Sequence, residues 1–387
     1  MFWVSVTSNI HWRICETVRK LKVVRYMRKT VIYGAQSIAL GVYKSVKAFF
    51  PERDIVCFLV TEKGQNSDFL NAIPVIQLHE FIDGMSQEEK NEINVLISTP
   101  ENVMDEIEHS LNKAGLYNHI RIDSLRWANM MQKFFVKMGE FLPLDVYPIG
   151  FRKASLSVYK VIHYKDKKLN TLVDDPEYMK TLQVGVCSTS KCIADFFDNE
   201  GFGISEKNRN YSELTGLYWF WKNQLQLGEH EEYHYYGLAH YRRRLQIRED
   251  DWLRLQDNEI DVVLPYPMPY EPNIEEHHKR YLSDSEWNAV LQALDELQPQ
   301  YAEAFNDILK QEYLYNYNLI LAKGKILDAY CGWLFPLLFR IEEINDPMDK
   351  KEPNRYIGYI GETLETLYFM YNKDKLKIAY TGCEFLV

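Results

Sequence analysis

The sequence predicts an α/β protein of two modules, and three observations carry that reading. Segments with strand and helix patterning alternate at lengths that suit a parallel, helix-covered sheet. A glycine turn follows the first predicted strand, at residues 29–50. A second series of strands opens near residue 156, beyond an apolar helical segment. A chain of 387 residues is long for one domain and natural for two. The boundaries follow as a Rossmann-like module over residues 1–125, a connecting helix over 126–152 closed by Pro143, and a second α/β module over 153–387.

In the first module, residues 29–50 read as strand, turn and helix, 54–62 and 74–81 as two further strands, and 91–100 as a fourth. A helix over 101–115 and a last strand at 119–123 complete it. Gly34 and Gly41 stand where a dinucleotide fingerprint keeps its first and last glycines, but Gln36 and Ser37 occupy the middle. A side chain there obstructs the approach of backbone to a pyrophosphate. Glu62 is the nearest acid for a ribose, at an unspecific distance. The turn therefore reads as part of a structural or regulatory module.

In the second module, residues 156–166 read as a strand and 203–223 as an aromatic helix capped by Ser205 or Asn208. Residues 235–245 read as a strand ending in a basic cluster, and 261–267 as a strand stopped by prolines. A strand, a turn at Gly324 and a long helix fill 315–344, and a glycine turn leads into a last helix within 354–372.

Composition narrows the function. A net charge of −10 opposes nucleic-acid binding, which needs a basic surface. The six cysteines form no CxxC pair, so no zinc ribbon or redox motif is suggested, and scattered thiols read as reduced and cytoplasmic. The longest apolar run, 330–339, is about half a membrane span. Residues 1–30 carry seven Lys and Arg (Arg13, Arg19, Lys20, Lys22, Arg25, Arg28 and Lys29) against Glu16. Such a segment suits the inner face of an anionic membrane, or equally a solvated basic helix.

Four phrases in order, "ISEKNRNYSELTGLYWFWKN", "GLAHYRRRL", "YNLILAKGKILDAYCGWLFPLLFRIEE" and "RYIGYIGETLE", resemble the family called domain of unknown function 4422, found in capsular and exopolysaccharide gene clusters. The resemblance implies a GT-A-like glycosyltransferase domain. It would move a hexose, galactose in furanose or pyranose form among the candidates, from a UDP-sugar to a saccharide or lipid-linked oligosaccharide. Family members usually carry an Asp-Asn pair just before "ISEKN", where this chain has Phe202 and Gly203.

Glycosyl transfer needs charge stabilisation on the departing diphosphate and a base for the acceptor hydroxyl. No Asp-x-Asp is present to carry a divalent metal, so no cofactor is called for. His240, Arg242, Arg243 and Arg244 stand in its place, with His240, Arg242 and Arg244 expected on one strand face. Lys165, Lys207 and Asn208 join them as donor-binding candidates. Asn316, Asn318, Glu213 and Trp219 are candidates for sugar contact. Glu213 and Trp219 read as readily as supports of their own helix, and some of the arginines as structural ion pairs. Glu362 is the expected base, with Glu365 in reserve, unless it only opposes the dipole at its helix start.

Two readings compete. "HEEYHYYGLAH" matches a zinc-protease pattern, with His230, His234 and His240 as ligands and Glu231 as base. That pattern requires a buried helix, whereas residues from Tyr235 onward read as a strand. The other reading is an inactive saccharide-binding scaffold.

Overall fold

The computed structural model describes residues 29–169, 174–226, 233–345 and 355–386. The basic segment over residues 1–28 lies outside the described residues, as do His230 and Glu231.

Two sheets organise the chain. The first contains β1 (Lys29–Tyr33), β2 (Ile55–Val60), β3 (Phe69–Leu70), β4 (Ile73–Gln77), β5 (Ile93–Ile97) and β6 (His119–Arg121) in the order β3-β4-β2-β1-β5-β6. All neighbours are parallel except β3 with β4. The parallel strands thus run in Rossmann order, with the chain reversing direction across the sheet at β1. The central strands are apolar along their length because helices cover both faces.

Local chemistry corrects three expectations. The strand expected over 74–81 stops at Gln77, which forms a capping box with Glu80 and starts the short helix Leu78–Ile82. The connecting helix Ser124–Met138 ends at Gly139, whose left-handed φ of 73° closes it before Pro143 is reached. Gly41 is kept for packing: a Cβ there would meet Trp127 Nε1 at 2.9 Å and Met131 Sδ at 3.1 Å, so the glycine lets the helices Ser37–Phe49 and Ser124–Met138 touch.

The second sheet contains β7 (Ser155–Ile162), β8 (Met179–Gln183), β9 (Phe196–Phe197), β10 (His234–His240), β11 (Arg243–Leu245), β12 (Val262–Pro265), β15 (Ile320–Lys323), β16 (Ile378–Thr381) and β17 (Cys383–Phe385). Between β12 and β15, β13 (Met268–Pro269) and β14 (Tyr313–Leu314) form a separate ribbon. The main order is β16-β12-β15-β10-β7-β8-β9, with β15 antiparallel to both of its neighbours. Side chains alternate across the sheet: Leu238 faces the helical core, whereas Tyr235 and Ala239 pack with Leu156 and Val263 on the other face.

The helix Gly324–Asn345 begins at Gly324 with no separate turn. Residues 203–223 are broken by Ser212 at φ 51°, giving Asn208–Tyr211 and Leu214–Phe220 in succession, and end in a wide π turn over Trp221–Leu225. Among the described residues no helix is long and apolar enough to cross a membrane.

Gly34 ends β1 with φ 120°, and a Cβ on it would lie 2.5 Å from the Ser98 carbonyl oxygen. Gly34→Ala therefore combines backbone strain with a backbone collision. We expect a loss of about 2 kcal/mol or more in denaturant unfolding, against about 1 kcal/mol for Gly64→Ala, whose φ of 49° is also left-handed but whose Cβ meets nothing within 4 Å.

Candidate active site

Because β15 runs against its neighbours, its amino end lies beside the carboxyl ends of β7, β8, β10 and β12. Ligands in open α/β sheets bind at such an edge. Here the edge gathers His163, Lys165 and Asp166 after β7, Gly185 after β8, His240 with the arginines at β10, and Asn316–Asn318 before β15.

The loop before β15 is the pivot. Tyr317 and Asn318 both take left-handed backbone, at φ 77° and 49°. This turns two amides toward two carboxylates: Asn316 Nδ2 donates to Glu362 Oε2 at 3.2 Å, and Asn318 Nδ2 donates to Glu213 Oε1 at 2.8 Å. The Tyr317 backbone N–H donates to Glu362 Oε1 at 3.0 Å. Glu362 stands on the second turn of the helix Tyr356–Tyr371, not at its start, so dipole compensation does not explain it. Gly358 and Gly361, expected to form a turn, lie inside this helix. At Gly361 a Cβ would meet Leu214 Cδ1 at 2.7 Å and Asn318 Oδ1 at 3.0 Å, so the missing side chain lets the helix close on the loop.

Glu362 keeps partial exposure as a residue while its carboxyl is enclosed. Burial raises its pKa to about 8, with Glu213 adding to the rise, while the Tyr317 N–H, Arg243 and Asn316 oppose it. Glu365 is 1% exposed and held well above the carboxylate range by burial and by Glu362, which puts it out of an acceptor's reach.

The basic cluster does not share one strand face. Tyr241 and Arg242 form a tight turn, and His240 pairs with Arg243 across it, so the arginines diverge. Arg244 pairs with Glu384 at 2.6 Å, an ion pair that ties β11 to β17. The Arg243 guanidinium lies 4.2 Å from the Tyr317 ring centre and 4.9 Å from that of Phe385. Arg242 lies over Tyr241 and Phe385. Among the described residues neither forms an ion pair with a carboxylate. Arg355 Nη2 approaches Glu213 Oε2 at 3.9 Å with its own side chain 64% exposed.

Among the described residues, His240 Nε2, Arg242 Nε, Asn316 Oδ1 and Asn318 Oδ1 are buried and find no hydrogen-bond partner. Buried polar atoms are nearly always satisfied, so four orphans along one edge mark a place built for a polar ligand. His240 is held below its ordinary pKa, chiefly by burial.

Other candidates are distributed differently. Lys165 is exposed in the loop after β7, its backbone N–H donating to His163 Nδ1. Lys207 pairs with Glu342 at 2.7 Å on the helix Gly324–Asn345. Asn208 donates to the Ser212 carbonyl at 2.8 Å and to Thr215 Oγ1 at 3.1 Å, bracing the helix break. Trp219 is core, donating to the Glu200 carbonyl and packing on Tyr159 and Phe196. Gly203 is required where it stands, because a Cβ would lie 2.0 Å from the Asp198 carbonyl oxygen. An Asp-Asn pair does occur four residues before the expected place, and Asp198 is a buried hub bonding Gly185 N, Val186 N and Thr215 Oγ1.

The family described as Domain of unknown function (DUF4422) matches residues 158–373. The chain belongs to that family. The match takes in all four edge loops and Glu362, and it leaves the first sheet outside. A solved apo structure of WbbM, described as a bifunctional glycosyltransferase, is similar with a TM-score of 0.52 and 24% identity. The similarity covers 60% of this chain and 45% of that one, so this chain spans less than half of WbbM, and the likeness speaks for the fold. No curated protein matches the chain.

The zinc-protease pattern fails on geometry. His234 and His240 end a seven-residue strand and stand about 20 Å apart, and His234 Nε2 is 2.9 Å from Ser157 Oγ. Sequence reading missed Asp166, Arg355 and Tyr270, although Arg355 stands in the phrase leading into the last helix.

A carboxyl with a raised pKa costs stability progressively as pH climbs from its unfolded value, about 4.3, to its folded value of about 8. Glu362→Gln removes that cost. Its stability relative to wild type should therefore improve between pH 5 and pH 9, by up to about 4 kcal/mol, as read from thermal melts at both pH values.

Proposed function

We propose that this chain is a glycosyltransferase whose donor diphosphate lies along the carboxyl edge of the second sheet, against Arg243. The observation that supports it most is the meeting there of orphaned buried polar atoms, guanidinium groups without carboxylate partners and the perturbed Glu362. Family membership and the glycosyltransferase-like fold agree with it. The donor in this reading is a UDP-hexose, with galactose the leading sugar. The acceptor is a saccharide or lipid-linked oligosaccharide of surface-polysaccharide synthesis, met at the inner face of the membrane.

The chemistry follows from the positions. An acceptor hydroxyl oxygen attacks the anomeric carbon and the bond from that carbon to the diphosphate oxygen breaks. The electron pair leaves with the diphosphate, and the hydroxyl proton passes to Glu362. Arg243, with Arg242 and Arg355 at its flanks, meets the charge developing on the leaving group, the task an Asp-x-Asp and a divalent metal perform elsewhere. The fork of a guanidinium matches two phosphate oxygens at once. A single carboxylate acting as base suits inversion at the anomeric centre. Because Glu362 titrates near 8, the active ionised form gains population as pH rises.

Transfer measured with a UDP-hexose should rise in kcat/KM from pH 6 and level off above about 8. Glu362→Gln should retain donor binding and lose turnover by about a hundredfold or more. Arg243→Ala should weaken UDP binding by about tenfold or more, as read by calorimetry, while Arg244→Ala acts on stability alone. A chelator should leave wild-type turnover in place. Unchanged UDP affinity in Arg243→Ala would remove the arginine from the donor site.

A further inference from the structure

The turn after β1 does not stand free as a dinucleotide-binding turn would. It faces the loops that follow β13. Gln36 precedes the helix Ser37–Phe49, and its side chain makes no capping bond there. Its Oε1 accepts instead from Arg280 Nη1 at 2.8 Å, and its amide meets Asn66 Oδ1. The Ser37 side chain faces the Tyr270 hydroxyl. The two residues that spoil the fingerprint are thus among those that join the first sheet to the second module.

Between them they line a half-open cleft of about 280 Å³. The volume is near the lower end for small-molecule sites, roughly 300 Å³ upward. Its aromatic wall is a stack in which His277 lies 3.6 Å from the Tyr270 ring centre, with Tyr281 5.1 Å from His277. Burial lowers the His277 pKa to about 3, so that wall is uncharged at neutral pH. Among the described residues Arg280 is the one cation of the lining, no carboxylate lines it, and the remaining polar groups are amides and hydroxyls. Such a lining suits a neutral, hydroxyl-rich ring with apolar faces, and it fits neither a cation nor a cluster of phosphates.

Hydrogen bonds tie the wall of the cleft to the reacting edge. The Tyr270 hydroxyl accepts from Asn316 Nδ2 at 3.0 Å, and the same amide donates to Glu362. Tyr281 packs at 5.1 Å on Tyr359, one helical turn before Glu362.

We propose that this cleft is the acceptor subsite: a terminal sugar ring rests between the Gln36–Ser37 turn and the wall of Tyr270 and Tyr281, with a hydroxyl directed to Glu362. The first sheet then serves acceptor choice, and its turn has exchanged pyrophosphate for sugar. This assignment rests on the glycosyltransferase reading, in which that hydroxyl oxygen bonds the anomeric carbon and gives its proton to Glu362.

The test uses the full-length protein. Saturation-transfer NMR is recorded with the methyl glycosides of glucose, galactose and N-acetylglucosamine at millimolar concentration, and UDP is titrated separately by calorimetry. The expected result is saturation transfer to at least one glycoside in wild type, reduced at least fivefold in Gln36→Ala and in Arg280→Ala, with UDP affinity unchanged in both. Two variants from opposite walls guard against one failing to fold. The assignment is overturned if no glycoside binds wild type, if both variants bind glycosides as wild type does, or if NAD displaces the glycoside. Glycoside binding with these losses, but no affinity for UDP or UDP-sugars, would sink the transferase reading and leave the cleft a saccharide site.

Discussion

Three residues before β15 hold the site together. Asn316 reaches Glu362 and Asn318 reaches Glu213, while the backbone between them turns through two left-handed residues to make both contacts possible. Left-handed backbone at non-glycine residues costs free energy and persists where the surroundings fix it. Here the surroundings are two carboxylates on separate helical segments, drawn into one enclosure despite their like charge. That repulsion, added to burial, keeps a proton on Glu362 near neutral pH. The antiparallel direction of β15 places this loop at the edge where the parallel strands end.

The second organising feature is the break between β10 and β11. Had the basic cluster continued as one strand, alternate arginines would have faced opposite sides of the sheet. The turn at Tyr241 and Arg242 instead sends Arg244 to Glu384 and leaves Arg243 over Tyr317, on the same loop that binds Glu362. A cation and a titratable carboxyl thereby share one wall. Arg243 lowers the carboxyl pKa while burial and Glu213 raise it, so the two groups are coupled through the loop as well as through space.

Much of the architecture is legible in the residues, and the failures have local causes. The alternation of apolar strands and amphipathic helices reveals both modules, because a two-residue and a 3.6-residue period are properties of the chain itself. Gln77 ends a strand early because its own side chain and Glu80 offer the backbone a better partner than the sheet does. The glycines at 358 and 361 read as a turn because their reason is tertiary: Gly361 makes room for Leu214 and Asn318, which are distant in sequence. Glu362 and Arg243 are visible as chemistry-bearing residues. Their separation from Arg244, Lys207 and Trp219 is not, since an ion pair to Glu384 or Glu342 depends on the fold. Gln36 and Ser37 look like damage to a fingerprint until Arg280 and Tyr270 are seen opposite them.

In the proposed reaction the carboxyl edge of the second sheet receives a nucleoside diphosphate. A crystal structure of the full chain soaked with UDP tests it most directly. Diphosphate oxygens are expected within hydrogen-bond distance of the Arg243 guanidinium, with the nucleoside extending toward the loops after β7 and β8. A diphosphate bound instead at the turn of Gln36 and Ser37, with the Arg243 edge left vacant, would contradict it.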